Sequence, residues 1–235
     1  MNYLPTYNFI TPTILEFVWP KQISESILLD MLVAKEKALE YWSTEVIDAT
    51  MGYHCLSLRF KRGYQKNEIE SFLSLLKKAN SITLNRKRWF IPVLYNGRDL
   101  ERVSELTGLN PTEIISQHQR PEYLLHFYGF MPGFMYLGGL PKELFAPRKS
   151  TPDPVVEKGS VAIGGKQTGI YPMDSPGGWN IIGKTPVQLF NINNTPPTQP
   201  KPGDIIKFQS VDNYTFNDTK LQVDNNNYSL KHEPY

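Results

Sequence analysis

The residues with the greatest chemical potential lie between His126 and Pro186. This segment holds eleven of the 16 glycines, eight of the 19 prolines and eight aromatic residues. Glycine allows positive φ angles and close approach to the backbone, proline fixes turns, and large aromatic rings supply stacking surface. Flexible linkers lack such aromatic content. The composition therefore predicts a rigid, turn-rich surface that holds a ligand.

Three polar side chains in or near this segment are the candidates for catalysis. Arg148 follows Pro147 in an apolar, turn-rich stretch, where a fixed guanidinium could bind a carboxylate or a phosphate through two hydrogen bonds. A structural salt bridge is the alternative of equal weight. Gln167 could add an amide donor and acceptor, with a polar rim as its alternative. His118 ends a helix, where it could act in the reaction or complement the helix C-terminal charge.

Other chemical motifs give weaker signals. The residues from Gly178 to Thr185 satisfy the phosphate-loop pattern G-x-x-x-x-G-K-[ST]. A true phosphate loop follows a strand and opens a helix, whereas Pro186 directs Thr185 away from helical geometry. We interpret this segment as a Gly-Gly turn that enters a strand. The four histidines lack metal-ligand spacing, so no zinc site is predicted, and the single Cys55 excludes an intramolecular disulfide.

The elements that must position these residues fall into two groups. The first comprises strand and helix patterns in the order β-α-β-β-α-β, which is typical of a ferredoxin-like sandwich. Its predicted helices begin after Ser24 and at Asn67. The predicted strands are Thr13–Trp19, Glu45–Met51, Tyr53–Phe60 and Trp89–Tyr95. We expect this α/β domain to cover residues 1–97.

The second group covers residues 98–235 and opens with two short helices. Asn110 and Pro111 supply an N-cap and a first-turn proline for the second of these helices. From Tyr123 onward, short strands alternate with Gly and Pro turns and no further helix is predicted. This pattern indicates an α+β chain that ends in a closed or partly closed β-barrel, followed by a polar tail.

The overall composition excludes several function classes. The formal net charge is +2, and no basic stripe suited to nucleic acid is present. No window approaches the roughly 18 apolar residues of a membrane span. The first residues lack the pattern of a signal peptide. We therefore expect a cytoplasmic protein with no nucleic-acid or membrane partner.

Four ordered, glycine-rich blocks carry a family resemblance. They are GF-x-PGF-x-YL-x-GLP at 129–141, PR at 147–148, GSVAI-x-G-x-QTGIYP at 159–172 and SPGGW-x-x-IG-x-TP at 175–186. Together they closely resemble the allophanate hydrolase subunit 1 family. The resemblance implies an N-terminal α/β domain and a C-terminal cyclophilin-like β-barrel. Asp153 and Lys184 stand at positions where the family usually has arginine.

The resemblance also implies an activity and partners. The family includes the B component of the ATP-dependent 5-oxoprolinase, which converts 5-oxoproline to glutamate. Such a chain is expected to be inactive alone and to work with the A component and the related barrel-type C component, with ATP and Mg at the level of the complex. Two alternatives stay open: a regulatory protein that inhibits a sensor histidine kinase, and a component of an allophanate or urea amide-hydrolysing system.

The glycine-rich blocks supply the predicted substrate-binding surface. Backbone N–H groups of Gly164 and Gly165 could hold a carboxylate or an oxyanion beside Arg148 and Gln167. Aromatic surface with a few polar groups is what small-molecule pockets require. The full predicted set is Phe130, Phe134, Tyr136, Gly164, Gly165, Thr168, Tyr171, Ser175, Gly177, Gly178 and Trp179.

Overall fold

The computed structural model describes residues 3–79 and 84–235. The chain divides into two compact units, Met1–Leu84 and Asn85–Tyr235. This division falls earlier in the chain than the predicted boundary after residue 97. The reason is that the strand Lys87–Val93 pairs along its length with Ile205–Ser210 and so belongs to the second unit.

The first unit combines one antiparallel sheet with two helices. Its strands are β1 (Thr6–Thr11), β2 (Ile14–Val18), β3 (Val46–Met51) and β4 (Cys55–Phe60), and its helices are α1 (Glu25–Tyr41) and α2 (Lys66–Lys78). The strands lie in the order β1-β2-β4-β3. Alternate residues of β4, Leu56, Leu58 and Phe60, are buried, as expected for a sheet with one face covered. α2 begins with a capping box between Gln65 and Glu68, two residues before the predicted one.

The predicted β-α-β-β-α-β order is therefore corrected. The hairpin of β1 and β2 supplies two strands before α1, and the predicted strand Trp89–Tyr95 is absent from this sheet. That strand is buried elsewhere because Trp89, Ile91 and Val93 all belong to the core of the second unit. The Trp89 side chain also donates a hydrogen bond to Asp204 at 2.8 Å.

The second unit is built around one eight-stranded sheet. Its elements are β5 (Lys87–Val93), α3 (Leu100–Thr107), α4 (Pro111–Gln119), β6 (Tyr123–Tyr128), β7 (Met135–Gly138), a 3₁₀ turn (Lys142–Leu144), β8 (Asp153–Val156), β9 (Ser160–Gly164), β10 (Gln167–Ile170), β11 (Ser175–Gly177), β12 (Asn180–Lys184), β13 (Ile205–Ser210), α5 (Asn213–Asp224) and β14 (His232–Pro234). The strand order is β12-β9-β10-β7-β6-β13-β5-β14. β8 and β11 form a separate two-stranded sheet.

This sheet is not a closed barrel. Within residues 85–235, all of which are described, its ladder runs from β12 to β14 without joining. The segment just after β5 is nevertheless hydrogen-bonded to β12: Leu94 and Lys184 exchange two backbone hydrogen bonds of 2.9 Å, and the N–H groups of Gly97 and Asp99 donate to the carbonyl oxygens of Ile182 at 3.1 Å and Ile181 at 3.0 Å. The α+β class is confirmed. Full closure of the predicted barrel is not observed: the ladder stays open, and its end strand β12 is hydrogen-bonded to the segment that follows β5.

The polar tail also departs from the prediction. α5 and β14 lie in the segment that was expected to contain no helix. Asp212 caps α5 by accepting the N–H of Thr215 at 2.8 Å. Only Thr219 is buried in this helix, so the sequence offers almost no apolar stripe from which to predict it. In the described ranges, no helix is long and apolar enough to cross a membrane.

Candidate functional site

The two faces of the eight-stranded sheet carry different residues. The main core lies on one face and includes Ile163 of β9 and Ile170 of β10. On the other face, Gly169 lies opposite both Tyr136 in β7 and Ala162 in β9, and residues opposite each other in an antiparallel pair share a face. This second face carries the aromatic residues of the predicted site.

The aromatic cluster depends on two glycines of the sheet. A Cβ atom at Gly164 would collide with the indole ring of Trp179, and one at Gly169 would meet both that ring and Phe134 at 3.0 Å. Phe134 packs edge-on against Trp179 at 5.5 Å and against Tyr171 at 4.9 Å between ring centroids. The glycines therefore allow Trp179 to lie directly on the sheet.

A cavity of about 390 Å³ lies against this cluster. Its size falls within the roughly 300–1,000 Å³ that is typical of small-molecule sites. The lining residues are Phe130, Phe134, Tyr136, Arg148, Lys149, Pro152, Tyr171, Pro176, Gly177, Gly178 and Trp179. The structure thus brings together eight of the predicted site residues from all four sequence blocks and adds Lys149, Pro152 and Pro176.

Arg148 brings a positive charge to this cavity. Its guanidinium lies 5.3 Å from the ring centroid of Trp179. The side chain is exposed, and it has no hydrogen bond or ion pair with any other described residue. The structural salt bridge considered above is therefore not formed within the described ranges. A guanidinium held over an indole ring keeps its planar fork available for a carboxylate or a phosphate.

The backbone on both sides of Arg148 is fixed by hydrogen bonds. The Lys149 N–H donates to the carbonyl oxygen of Gly178 at 2.7 Å. The side-chain amide of Asn180 donates to the carbonyl oxygen of Pro147 at 3.0 Å. The charge of Arg148 is therefore presented from an anchored segment.

The neighbouring charges neutralise each other. The Lys149 Nζ lies 2.7 Å from Asp99 and 2.7 Å from Asp153, and Arg98 also lies 2.7 Å from Asp153. Burial alone would raise the pKa of Asp153, but the hydrogen bonds and charges of Lys149 and Arg98 together lower it. Lys149 and Arg98 therefore neutralise Asp99 and Asp153. Among the described residues that line the cavity, Arg148 is the cation without a carboxylate partner.

Two phenol groups line the cavity beside Arg148. Burial raises the pKa of Tyr136, although the charge of Arg148 opposes this. Burial likewise raises the pKa of Tyr171, against a hydrogen bond from the backbone of Trp179 and the charge of Arg148. Both hydroxyls therefore stay protonated at neutral pH and can act as hydrogen-bond donors.

Phe130 forms an exposed lip of the cavity. Its side chain is 64% exposed, and its φ angle of 65° is in the left-handed region. This conformation is a true outlier for a bulky residue. The Met131 N–H donates to Gly129 at 2.7 Å, which closes a tight turn around Phe130. Backbone outliers of this kind cluster at ligand sites, where the surrounding structure enforces them.

His118 does not line the cavity. It is fully buried in α4, where Nδ1 lies 2.8 Å from the Tyr95 hydroxyl and Nε2 lies 2.9 Å from the Thr168 hydroxyl. Burial lowers the pKa of His118 to about 3, so the ring is neutral. The structure gives His118 and Thr168 a role in the core, on the face of the sheet opposite the aromatic cluster.

The remaining predicted residues lie beside the cavity without lining it. The Gly165 N–H donates to Ala146 at 2.7 Å, and Trp179 covers Gly164, so these glycines do not form the expected anion site. Gln167 is 8% exposed, and its amide nitrogen has no hydrogen-bond partner among the described residues. The hydroxyl oxygen of Ser175 is also buried without a described partner.

Sequence reasoning missed Lys149, although it directly follows Arg148. Its role depends on Asp99 and Asp153, and Asp99 lies fifty residues earlier in the chain. No local pattern signals such a pairing. Asp153 itself was noted only as a departure from the family, and the structure shows that it accepts hydrogen bonds from two neighbouring cations.

Comparison with known proteins agrees with the sequence blocks. A curated protein from Bacillus subtilis, named as the B subunit of 5-oxoprolinase, is 45% identical over 149 residues, which cover 62% of this chain and 61% of the relative. A protein of the same name from Haemophilus influenzae is 50% identical over 121 residues, covering 50% of this chain and 57% of the relative. The chain thus matches less than two thirds of the length of these relatives.

A solved structure has a similar fold. TTHA0988 superposes with a TM-score of 0.75 at 32% identity, over 85% of this chain and 40% of that protein. The family described as "Carboxyltransferase domain, subdomain C and D" matches residues 5–199. These residues include most of both units and every residue that lines the Arg148 cavity. The chain belongs to the carboxyltransferase domain, subdomain C and D, family.

Proposed function

We propose that this chain is the B component of an ATP-dependent 5-oxoprolinase, which opens 5-oxoproline to glutamate. One observation carries the proposal: Arg148 has no ion pair with another described residue. Its guanidinium lies over the ring of Trp179, and both residues line a cavity of about 390 Å³. The names of the curated relatives support the same activity.

The cavity suits a small, flat, anionic substrate. 5-Oxoproline combines a planar lactam with one carboxylate. Arg148 would bind the carboxylate, the aromatic walls formed by Phe134 and Trp179 would contact the ring, and the protonated Tyr136 and Tyr171 hydroxyls could donate to the lactam oxygen. Each of these groups is held in place before the substrate arrives, which is the condition for electrostatic catalysis.

The chemistry explains why ATP is required. Opening an unstrained lactam is unfavourable. Transfer of the terminal phosphoryl group of ATP to the amide oxygen, with loss of ADP, would make the amide carbon a better electrophile for water, and hydrolysis would then release phosphate and break the ring C–N bond. We assign ATP and Mg to the assembled complex. In that complex this chain works with an A component and a related C component, is inactive alone and acts in the cytoplasm, where ATP is available.

The length relationships support work alongside other domains. The matched region is only 40% of TTHA0988, so in that protein the same fold is joined to a larger remainder. We propose that this chain likewise works beside the other components of a larger assembly. We further propose that the eight-stranded sheet, whose end strand β12 is bridged to the segment after β5 at Leu94 and Lys184, acts as the counterpart of the cyclophilin-like barrel of the family.

Reconstitution tests this proposal. The chain would be co-expressed with candidate A and C components, and release of ADP and glutamate would be measured with and without 5-oxoproline. We expect coupled release of both products, lost when this chain is omitted and strongly reduced by Arg148→Ala but not by Lys142→Ala, an exposed lysine outside the cavity. Turnover that persists without this chain would contradict the proposal.

Two other outcomes would favour the alternatives. If no complex forms and the chain instead inhibits phosphotransfer by a sensor histidine kinase, the regulatory function replaces the enzymatic one. If the complex hydrolyses allophanate but not 5-oxoproline, the chain is a component of an allophanate or urea system.

A further inference from the structure

The strained turn at the mouth of the Arg148 cavity carries an aromatic ring that the core does not explain. Of the five aromatic residues that line this cavity, Phe130 is the exposed one, whereas Phe134, Tyr171 and Trp179 are buried. The φ angle of Phe130 is 65°, and a left-handed backbone is unfavourable for a residue with a Cβ atom. The sequence therefore has phenylalanine at a position where the backbone favours glycine.

Backbone hydrogen bonds and packing hold this turn in shape. The Gly129 N–H donates to the carbonyl oxygen of Phe134 at 3.2 Å, and the Phe134 N–H donates to that of Met131 at 3.1 Å. Gly133 has a φ angle of 83°, and a Cβ atom there would collide with Phe190. None of these contacts uses the exposed ring, so the shape of the turn does not require an aromatic side chain.

The exposed ring extends the aromatic wall of the cavity. Phe130 and Phe134 meet edge-on, with 5.7 Å between ring centroids and an interplanar angle of 88°. Phe134 meets Trp179 in the same way at 5.5 Å. Arg148 lies over Trp179, so the three rings and the guanidinium border one cavity of about 390 Å³. A ligand whose carboxylate is held by Arg148 therefore has its remaining atoms close to these rings.

The stability of the fold gives little reason to keep the ring of Phe130. Apolar burial stabilises a fold in proportion to the area that is removed from water, and Phe130 stays 64% exposed. Strained backbone conformations persist mainly where a ligand contact depends on them. The exposed ring is thus suited to a contact that forms only when the cavity is filled.

We propose that Phe130 determines the specificity of this cavity for a cyclic amide over an acyclic one. The inference rests on the proposed function, in which Arg148 binds the carboxylate of 5-oxoproline. The lactam ring is compact, so its apolar CH₂ groups contact the ring of Phe130 while the carboxylate stays on Arg148. An acyclic amide with the same carboxylate must lose rotational freedom to make this contact. Phe130 touches the part of the substrate that does not react, so its effect is on binding.

Two substitutions separate the ring of Phe130 from its backbone. Phe130→Gly removes the ring and relieves the left-handed conformation, whereas Phe130→Ala removes the ring and keeps the strain. Thermal unfolding of the chain alone would compare them. We expect the midpoint of Phe130→Gly to equal or exceed that of the wild type and to exceed that of Phe130→Ala. A midpoint of Phe130→Gly clearly below that of the wild type would overturn the inference, because the ring would then serve the fold.

Calorimetry on the assembled complex without ATP tests the specificity. The two ligands are 5-oxoproline and N-acetylglycine, which has a carboxylate and an amide but no ring. We expect the wild type to prefer 5-oxoproline by at least about tenfold, and both Phe130 variants to reduce this preference by about fivefold or more with little change for N-acetylglycine. Tyr214→Ala removes an exposed ring outside the cavity and should keep the full preference.

Three results would overturn the inference and leave the proposed function intact: full preference for 5-oxoproline in both Phe130 variants, equal weakening of both ligands, or the same loss in Tyr214→Ala. Failure of the Phe130 variants to enter the complex would also overturn it, since Phe130 would then contact another polypeptide. If the wild-type complex turns over no 5-oxoproline, the proposed function itself fails, and this inference fails with it.

Discussion

Lys149 is the residue on which the charge arrangement at the main cavity depends. Its side chain is 13% exposed and contacts Asp99, which is 10% exposed, and Asp153. Replacement by methionine keeps the apolar stem but removes the charge that these carboxylates face. Asp153 would keep Arg98, whereas Asp99 would lose its cation.

We expect Lys149→Met to lower the free energy of unfolding by about 2 kcal/mol, because a mostly buried carboxylate is left without its charged donor. Denaturant unfolding would measure this. The exposed Lys142→Met should change stability by less than about 0.5 kcal/mol. Equal effects of the two substitutions would show that the Lys149 ion pairs do not stabilise the unit.

His118 makes the stability of the chain depend on pH. Burial lowers its pKa to about 3, whereas an unfolded histidine titrates near its ordinary value of 6.5. The unfolded state therefore binds more protons below pH 6.5, so stability falls as the pH decreases from 6.5 towards 3. When the pH is lowered from 7 to 5, the titration of His118 alone should lower the free energy of unfolding by about 2 kcal/mol.

Denaturant unfolding of the wild type and of His118→Gln at the two pH values would isolate this contribution. The variant should be less stable at pH 7, because the bonds to Tyr95 and Thr168 are disturbed, but its stability should change less with pH. If both proteins lose the same stability between pH 7 and pH 5, His118 is not a buried neutral ring.

At the scale of elements, β9 and β10 act as a platform for Trp179. Gly164→Ala would place a Cβ atom within the space of the indole ring. We expect this Cβ atom to displace Trp179 and to lower the free energy of unfolding by about 1–3 kcal/mol through overpacking. Arg148 would then no longer lie over the indole ring. Near-ultraviolet circular dichroism and denaturant unfolding would report these changes.

Gly108→Ala is the matched control for this substitution. This substitution also replaces a glycine by alanine. Gly108 has a positive φ angle of 74°, but a Cβ atom there would meet open space. Its cost should come only from the backbone, without any change in the aromatic signal. An unchanged aromatic spectrum for Gly164→Ala would contradict the proposed packing of Trp179 on the sheet.

The sequence predicted the residues of the cavity better than it predicted the secondary structure that holds them. The turn-forming glycines and aromatic residues lie in local blocks, so Phe134, Arg148 and Trp179 could be grouped without a structure. The buried position of His118 could not be seen, because its partners Tyr95 and Thr168 lie 23 and 50 residues away. Strand pairing was similarly hidden: the Trp89–Val93 run indicates a strand, but its sequence does not say that its neighbour is β13.

At the scale of the whole molecule, the second unit holds every residue of the Arg148 cavity. Its main core and its aromatic cluster are both composed of residues after Asn85. We therefore expect residues 85–235 to fold as an independent unit that keeps the aromatic circular dichroism signal and cooperative unfolding. A fragment that is soluble but lacks both properties would show that this unit requires the first 84 residues to fold.

The central claim is that Arg148 binds the substrate carboxylate beside Trp179. The most direct measurement compares the affinity of the assembled complex for 5-oxoproline and for 2-pyrrolidinone, the same lactam without the carboxylate, using the wild type and Arg148→Ala. We predict that the wild type prefers 5-oxoproline by at least about tenfold and that Arg148→Ala loses this preference while still binding 2-pyrrolidinone. A variant that keeps the full preference for 5-oxoproline would contradict the claim.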